Sequence, residues 1–279
     1  MSDQSSIRRT RSALFVPGAR PRAIEKAAAL GADMLILDLE DAAGPDEKIA
    51  ARGRIADALD QWSGCGAVRA VRVNAIGTGL EADDLAAAAK ADAIVLPKIE
   101  TVTDIEAARA FLPDGPVFWA MIETPRALFH LREIGEAAVG LRVAGLIAGT
   151  NDLAKAMKTA GRDAMVPHLA RIVAAARGYD LVPLDGVYNA YKDEAGFAVE
   201  ACAGKAMGFA GKTLIHPSQV GPANIAFGPG EDEIDRARRL VAAFAMPENA
   251  GKGAISFEGT MAERLHLADA EAILREVKG

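Results

Sequence analysis

Short apolar runs alternate with longer amphipathic stretches along most of the chain, the signature of repeated strand–helix units. Residues 13–16, 34–39, 68–74, 93–97, 117–122, 143–148, 181–184 and 212–215 read as eight strands. Helical spacing covers residues 23–30, 46–62, 82–89, 102–112, 125–136, 166–177, 195–207 and 218–226, many opened by Asp, Thr, Ser or Pro and closed by Gly. Eight strands, each followed by a helix, predict a closed (β/α)8 TIM barrel, an α/β fold, over residues 1–228. After Gly228-Pro-Gly the pattern changes to a helix over 231–245, a turn, one short strand and a final helix from Met261. Residues 229–279 therefore read as a short C-terminal helical extension, a lid or an arm exchanged between subunits.

Polar residues gather where each strand should finish, at Asp38-Leu-Glu-Asp41, Arg72-Val-Asn74, Pro97-Lys98, Glu123-Thr-Pro125 and Asn151-Asp152. In parallel barrels that C-terminal rim carries the active site. Strands must end in turn formers, which explains Pro and Gly there but not Glu123, Lys98 or Arg72.

Period-two alternation puts Val117, Trp119, Met121 and Glu123 on one face, so Glu123 continues a buried row to its rim. As an acid before a helix it can also serve that helix's dipole. Asp152, after Gly149-Thr-Asn, is a metal ligand or a helix N-cap. Two carboxylates ending consecutive strands repel each other unless a cation joins them, and Mg²⁺ with one or two carboxylates, waters and substrate oxygens is the usual arrangement. Arg72, sharing a face with Val68, Ala70 and Asn74, is a forked receptor for a substrate carboxylate or carbonyl, or else an ion-pair partner of Asp38, Glu40 or Asp41. Alternation sets Asp38 and Glu40 on one face, where they can orient Arg72 or hold metal-bound waters, and Asp41 on the other. Lys98 is a Schiff-base nucleophile or a neutralising charge for the acidic rim. His216 reads as a hydrogen-bonding residue of the last strand-to-helix turn.

Composition narrows the classes. With 279 residues, 51% hydrophobic and 25% charged, the chain has ample length for a large core. Net charge of −6 argues against a nucleic-acid binder, while a small anionic substrate needs only local positive charge. Cys65 and Cys202 lack CxxC spacing, and the four histidines form no HExxH or His-x-His pattern, so neither a disulfide framework nor zinc is expected. A polar start without an apolar h-region, and no span-length apolar run, predict a cytoplasmic protein with a frayed N-terminus and no membrane partner.

Eight stretches in order resemble the citrate lyase β-subunit-like proteins of the HpcH/HpaI aldolase superfamily, which include malyl-CoA and citramalyl-CoA lyases. They are Arg11-Ser-Ala-Leu-Phe-Val-Pro-Gly, Leu37-Asp-Leu-Glu-Asp-Ala, Lys48-Ile-Ala-Ala-Arg, Val71-Arg-Val-Asn, Val95-Leu-Pro-Lys, Ile122-Glu-Thr, Gly149-Thr-Asn-Asp-Leu and Gly211-Lys-Thr-Leu-Ile-His-Pro. The resemblance implies a trimer or hexamer, with Mg²⁺ on Glu123 and Asp152 and substrate held by Arg72 and Glu123. It implies catalytic duty for Arg72, with Asp38 and Glu40 behind it. The implied reaction cleaves or forms a C–C bond between an acyl-CoA and a 2-keto acid. It also places CoA at the N-terminal rim, with Arg20, Arg22 and Lys26 as candidates. The family's acid/base Asp on a neighbouring subunit's tail corresponds to Glu263 in Gly259-Thr-Met-Ala-Glu-Arg-Leu-His-Leu, a departure by one methylene. Alternatives are a metal-dependent aldolase of free 2-keto acids, a Lys98 Schiff-base aldolase and a non-catalytic homologue.

Overall fold

The computed structural model describes residues 9–41 and 47–278. Strands β1 (Ser12–Pro17), β2 (Met34–Asp38), β3 (Val68–Arg72), β4 (Ala93–Leu96), β5 (Val117–Ile122), β6 (Val143–Ala148), β7 (Val182–Asp185) and β8 (Gly211–Leu214) each pair in parallel with the next. The pairing of β8 with β1, Ser12 opposite Lys212, closes the barrel. Helices α1 (Pro21–Ala27), α2 (Lys48–Gln61), α3 (Glu81–Ala87), α4 (Val102–Phe111), α5 (Leu131–Ala137), α6 (Thr150–Met157), α7 (Val166–Gly178), α8 (Glu194–Met207) and α9 (Val220–Phe227) occupy the connections.

The expected helix over 125–136 is a 3₁₀ turn, Ala127–Phe129, followed by α5, and the one over 218–226 is a turn, Pro217–Gln219, followed by α9. Helix α6 is an addition that the apolar pattern does not announce. The N-terminal residues 1–8 and the start of the second expected helix at Asp46 lie outside the described residues. No helix among the described residues is long and apolar enough to cross a membrane.

Each strand is buried on both faces, so its sequence is a nearly continuous apolar run. Met34, Ile36, Val68, Ala70, Val95, Trp119, Met121 and Ile147 fill the barrel interior. Leu35, Leu37, Val71, Phe118, Ala120 and Ile122 face the outer layer, where they pack with helix residues such as Ile55, Leu59 and Ile105. Three interior rows end in charge: 34, 36 and 38 in Asp38; 68, 70 and 72 in Arg72; 119, 121 and 123 in Glu123. Trp119 is fully buried, and its indole N–H finds no hydrogen-bond acceptor in the structure. On the outer side Lys212 is fully buried, with its ammonium 2.9 Å from Asp185 and 2.7 Å from Glu200. Arg162 joins the same carboxylates, so two cations pair with two anions.

From Gly228 the chain forms a second compact unit, described on its own terms. Helix α10 (Glu231–Ala245), the antiparallel strands β9 (Ala254–Phe257) and β10 (Thr260–Glu263), and helix α11 (Arg264–Lys278) enclose a small core of Leu240, Phe244, Ile255, Phe257 and Ala262. Sequence reading expects one strand and a helix from Met261; instead Met261 lies in β10, and the helix starts at Arg264. The cause is the turn: Glu258 and Gly259 both hold positive φ, 50° and 78°, the geometry that folds two strands back on each other.

Candidate active site

A cavity of about 320 Å³ opens at the C-terminal ends of the strands, lined among others by Asp38, Asp41, Arg72, Glu123 and Asp152. Glu123 ends the interior row of β5 and is only 4% exposed. Its Oε1 accepts the backbone N–H of Lys98 at 2.7 Å. Burial pushes its carboxyl pKa up to about 7, with the charge of Glu40 adding to the effect and the Lys98 N–H, Lys98 and Arg72 opposing it.

Asp152 arrives from the next strand, four residues beyond the end of β6. Gly149, rather than Asp152, is the N-cap of α6, so the carboxylate makes no capping bond and lies in the helix's first turn with its side chain 46% exposed. A helix N-terminus favours negative charge there. Gly149 is dictated by close approach: its N–H donates to Ile122 O at 3.0 Å, and a Cβ would collide with Cβ and Oε2 of Glu123. Absence of a side chain thus lets the Asp152 turn pack on Glu123.

Arg72 is buried, and two of its three guanidinium nitrogens are hydrogen-bonded. Nε and Nη2 donate to Oδ1 and Oδ2 of Asp38, both at 2.8 Å, and Nη2 also reaches Asp41 Oδ2 at 3.2 Å. Asp41 therefore faces Arg72 with Asp38, contrary to the alternation, because β2 ends at Asp38 and the period of two ends with it. The ion-pair reading of Arg72 is what the structure displays, and the guanidinium also lies 4.7 Å from the Phe15 ring centroid. Burial lowers its pKa, but the bonds and charge of Asp38, Glu40 and Asp41 outweigh this and hold it above its ordinary value. Nη1 lies 3.0 Å from Glu40 Oε2, close enough for an ion pair, yet the geometry forms no hydrogen bond and Oε2 remains buried without one. Burial raises the Glu40 pKa against the opposing charges of Arg72 and Lys98.

Lys98 donates to Glu40 Oε1 and lies 3.5 Å from Asp152 Oδ2. Desolvation lowers its pKa, but the bond and charge of Glu40 with the charges of Glu123 and Asp152 more than compensate, leaving it raised. A protonated, ion-paired amine is a poor Schiff-base nucleophile, so this arrangement favours the neutralising role for Lys98.

Behind the acidic loop, Lys48 spends its three donors on Leu39 O at 2.8 Å, Glu40 O at 3.2 Å and Asn74 Oδ1 at 2.6 Å. Asn74 in turn is bound by buried Asp84, so it supports the loop rather than facing the cavity. His216 accepts the Ser218 N–H at 3.2 Å and stacks on Tyr191, as befits a turn residue.

Arg20, Arg22 and Lys26 are exposed and do not line the cavity. Arg20 follows Pro17, a cavity residue, and donates its N–H to Pro17 O at 3.0 Å. The segment thus starts at the C-terminal rim, correcting the N-terminal placement, because the loop after a parallel strand emerges at that strand's C-terminal end. Glu263 ends β10 in the second unit, with its N–H donating to His266 Nδ1 at 2.9 Å. Sequence reading did not assign Thr150, Val187 or Thr213 to the cavity they line; only their positions after strand ends, or on the interior face of β8, could have flagged them.

The HpcH/HpaI aldolase/citrate lyase family profile matches residues 11–217. A (3S)-malyl-CoA thioesterase of Cereibacter sphaeroides is 42% identical across 96% of this chain and 94% of its own. An L-malyl-CoA/beta-methylmalyl-CoA lyase of the same organism is 30% identical across 97% and 95%. Among solved structures, the protein CitE of Mycobacterium tuberculosis in complex with magnesium, acetoacetate and coenzyme A superposes with a TM-score of 0.78 at 31% identity, covering 96% of this chain and 98% of that one. By the extent of the profile match and of the full-length relatives, the chain belongs to the HpcH/HpaI aldolase/citrate lyase family.

Proposed function

We propose that the barrel is a Mg²⁺-dependent C–C lyase acting on a 3-hydroxyacyl-CoA with a terminal carboxylate, of the malyl-, citramalyl- or citryl-CoA kind. The observation that carries this reading is the convergence of Glu123 and Asp152, from neighbouring strands, on one cavity beside Arg72. Two hard oxygen donors without a third suit Mg²⁺, which keeps several waters; among the described residues no trio of His, Cys, Asp or Glu forms a metal cage. Glu123 and Asp152 would hold the Mg²⁺, which would supply Lewis-acid charge to the oxygens of the acyl chain.

The remaining work falls to the chain. Asp41, the exposed member of the Arg72 cluster at 72%, faces the cavity and is placed to take the hydroxyl proton. As the C2–C3 bond breaks, its electron pair moves onto the thioester as an enolate, and the hydroxyl carbon becomes the keto acid carbonyl. Arg72 presents Nη1, the arm without an aligned bond to Glu40, to the enolate oxygen. Asp38 and Glu40 are positioning residues that fix its plane. Glu263, brought by a neighbouring subunit's tail, is the candidate donor for the proton that completes the acyl-CoA, and Arg20, Arg22 and Lys26 remain candidates for CoA phosphates.

A second reading is hydrolysis of the same thioester, favoured by the higher identity to the malyl-CoA thioesterase, 42% against 30% for the lyase. Incubation with (3S)-malyl-CoA and Mg²⁺ separates the two. Glyoxylate and acetyl-CoA without free thiol identify the lyase; malate with stoichiometric free CoA identifies the hydrolase. Turnover of free 2-keto-3-deoxy acids, with no response to any CoA thioester, would leave the CoA-independent aldolase.

A further inference from the structure

Lys98 links three strands' worth of carboxylate. From the end of β4 its backbone N–H holds Glu123, at the end of β5. Its ammonium bonds Glu40, beyond β2, and stands 3.5 Å from Asp152, beyond β6. The bond to Glu40 is direct, whereas the contact with Asp152 is an ion pair without a hydrogen bond, so Asp152 is the partner more readily released. Lys98 also holds φ of 52°, a left-handed conformation that glycine or asparagine adopts at lower cost. Loop geometry alone therefore does not call for lysine here. Among the described residues, four carboxylates, Asp38, Glu40, Asp41 and Asp152, pair with two cations, Arg72 and Lys98, and Glu123 beside them takes the Lys98 backbone N–H. A dication is accommodated by that excess of negative charge, but it must share Asp152 with an ammonium already there.

We propose that Lys98 is a built-in competitor for the divalent cation, an internal cation that neutralises Asp152 in the metal-free enzyme and yields it when the metal binds. The inference rests on the metal reading of Glu123 and Asp152. Its consequence is that Lys98 weakens metal binding and keeps loading reversible, while its Glu40 contact persists in both states. With its side chain 43% exposed, the ammonium has room to move.

The test measures Mn²⁺ binding to the full chain by calorimetry and by the electron paramagnetic resonance signal of free Mn²⁺. Lys98→Met removes the charge and is expected to tighten binding about tenfold, since a unit charge a few ångströms from a ligand acts on this scale. Lys98→Arg, which keeps the charge, should bind much as the wild type does, and Asp152→Asn should lose binding. If Asp152→Asn loses binding while Lys98→Met binds equally or more weakly, the metal site stands and the competitor role is overturned. If the wild type takes up no Mn²⁺, both readings fall together. Should Lys98→Met fail to fold by circular dichroism, Lys98→Gly, which also relieves the left-handed backbone, carries the same expected tightening.

Discussion

At Glu123 a single carboxyl couples burial to pH. Its ordinary pKa is 4.5, and burial in the fold pushes it up to about 7, so the folded state binds the proton more tightly than the unfolded chain. The sign follows: this group's stabilisation is fully present below pH 4.5 and is lost as pH rises through 7, opposite to a salt-bridged carboxylate. In EDTA, the unfolding free energy of wild type relative to Glu123→Gln should fall between pH 4.5 and pH 8 by up to ~3 kcal/mol. Urea titrations at several pH values check this, and parallel curves for the two proteins would refute it. The residue itself was legible in the sequence, because period two carries Trp119, Met121 and Glu123 along one face. The same logic reached Arg72 and Asp38 but misplaced Asp41, since alternation stops where the strand stops. That two nitrogens of Arg72's fork are bonded was left open, because ion pairing depends on how the acidic loop turns.

Strands and their connections decide which charged ends can meet. The strands were readable to within two residues because both faces are buried and apolar runs of that length fit nothing else. Helix α6 was not, for its eight residues make barely two turns, too few repeats of the apolar spacing of Leu153, Ala154 and Met157 to stand out from a loop. Yet that helix presents Asp152, and its start packs on Glu123 through Gly149. Gly149→Ala should therefore push β5's rim and α6 apart, with a loss of about 1–3 kcal/mol in stability, typical of overpacking. Mn²⁺ affinity should fall with it. Thermal melts with calorimetry give the answer; an alanine variant with unchanged affinity would show that the close approach is dispensable.

For the whole molecule, the closed eight-stranded order followed from counting strand–helix units, whereas the second unit did not follow from its pattern. Its β9–β10 hairpin turns on Glu258-Gly259, which lacks the Asn-Gly or Asp-Gly signal that marks such turns in a sequence. Glu263, the last residue of β10, is assigned proton donation by the proposed chemistry. Glu263→Gln should then lower kcat for C–C cleavage by roughly 100-fold or more, with Mn²⁺ affinity unchanged. Glu263→Asp should retain part of the rate; an unaltered kcat in the Gln variant would exclude the role. The barrel also contains its own optical probe. The chain has two tryptophans, and Trp119 lies wholly buried two residues below Met121 and four below Glu123 on one interior row, its indole N–H unbonded. Substituting Trp62→Phe would leave one emitter, with fluorescence expected at the blue end for indole. Paramagnetic Mn²⁺ entering the rim should dim that emission while Mg²⁺ does not, turning occupancy of the site into light that can be followed in real time.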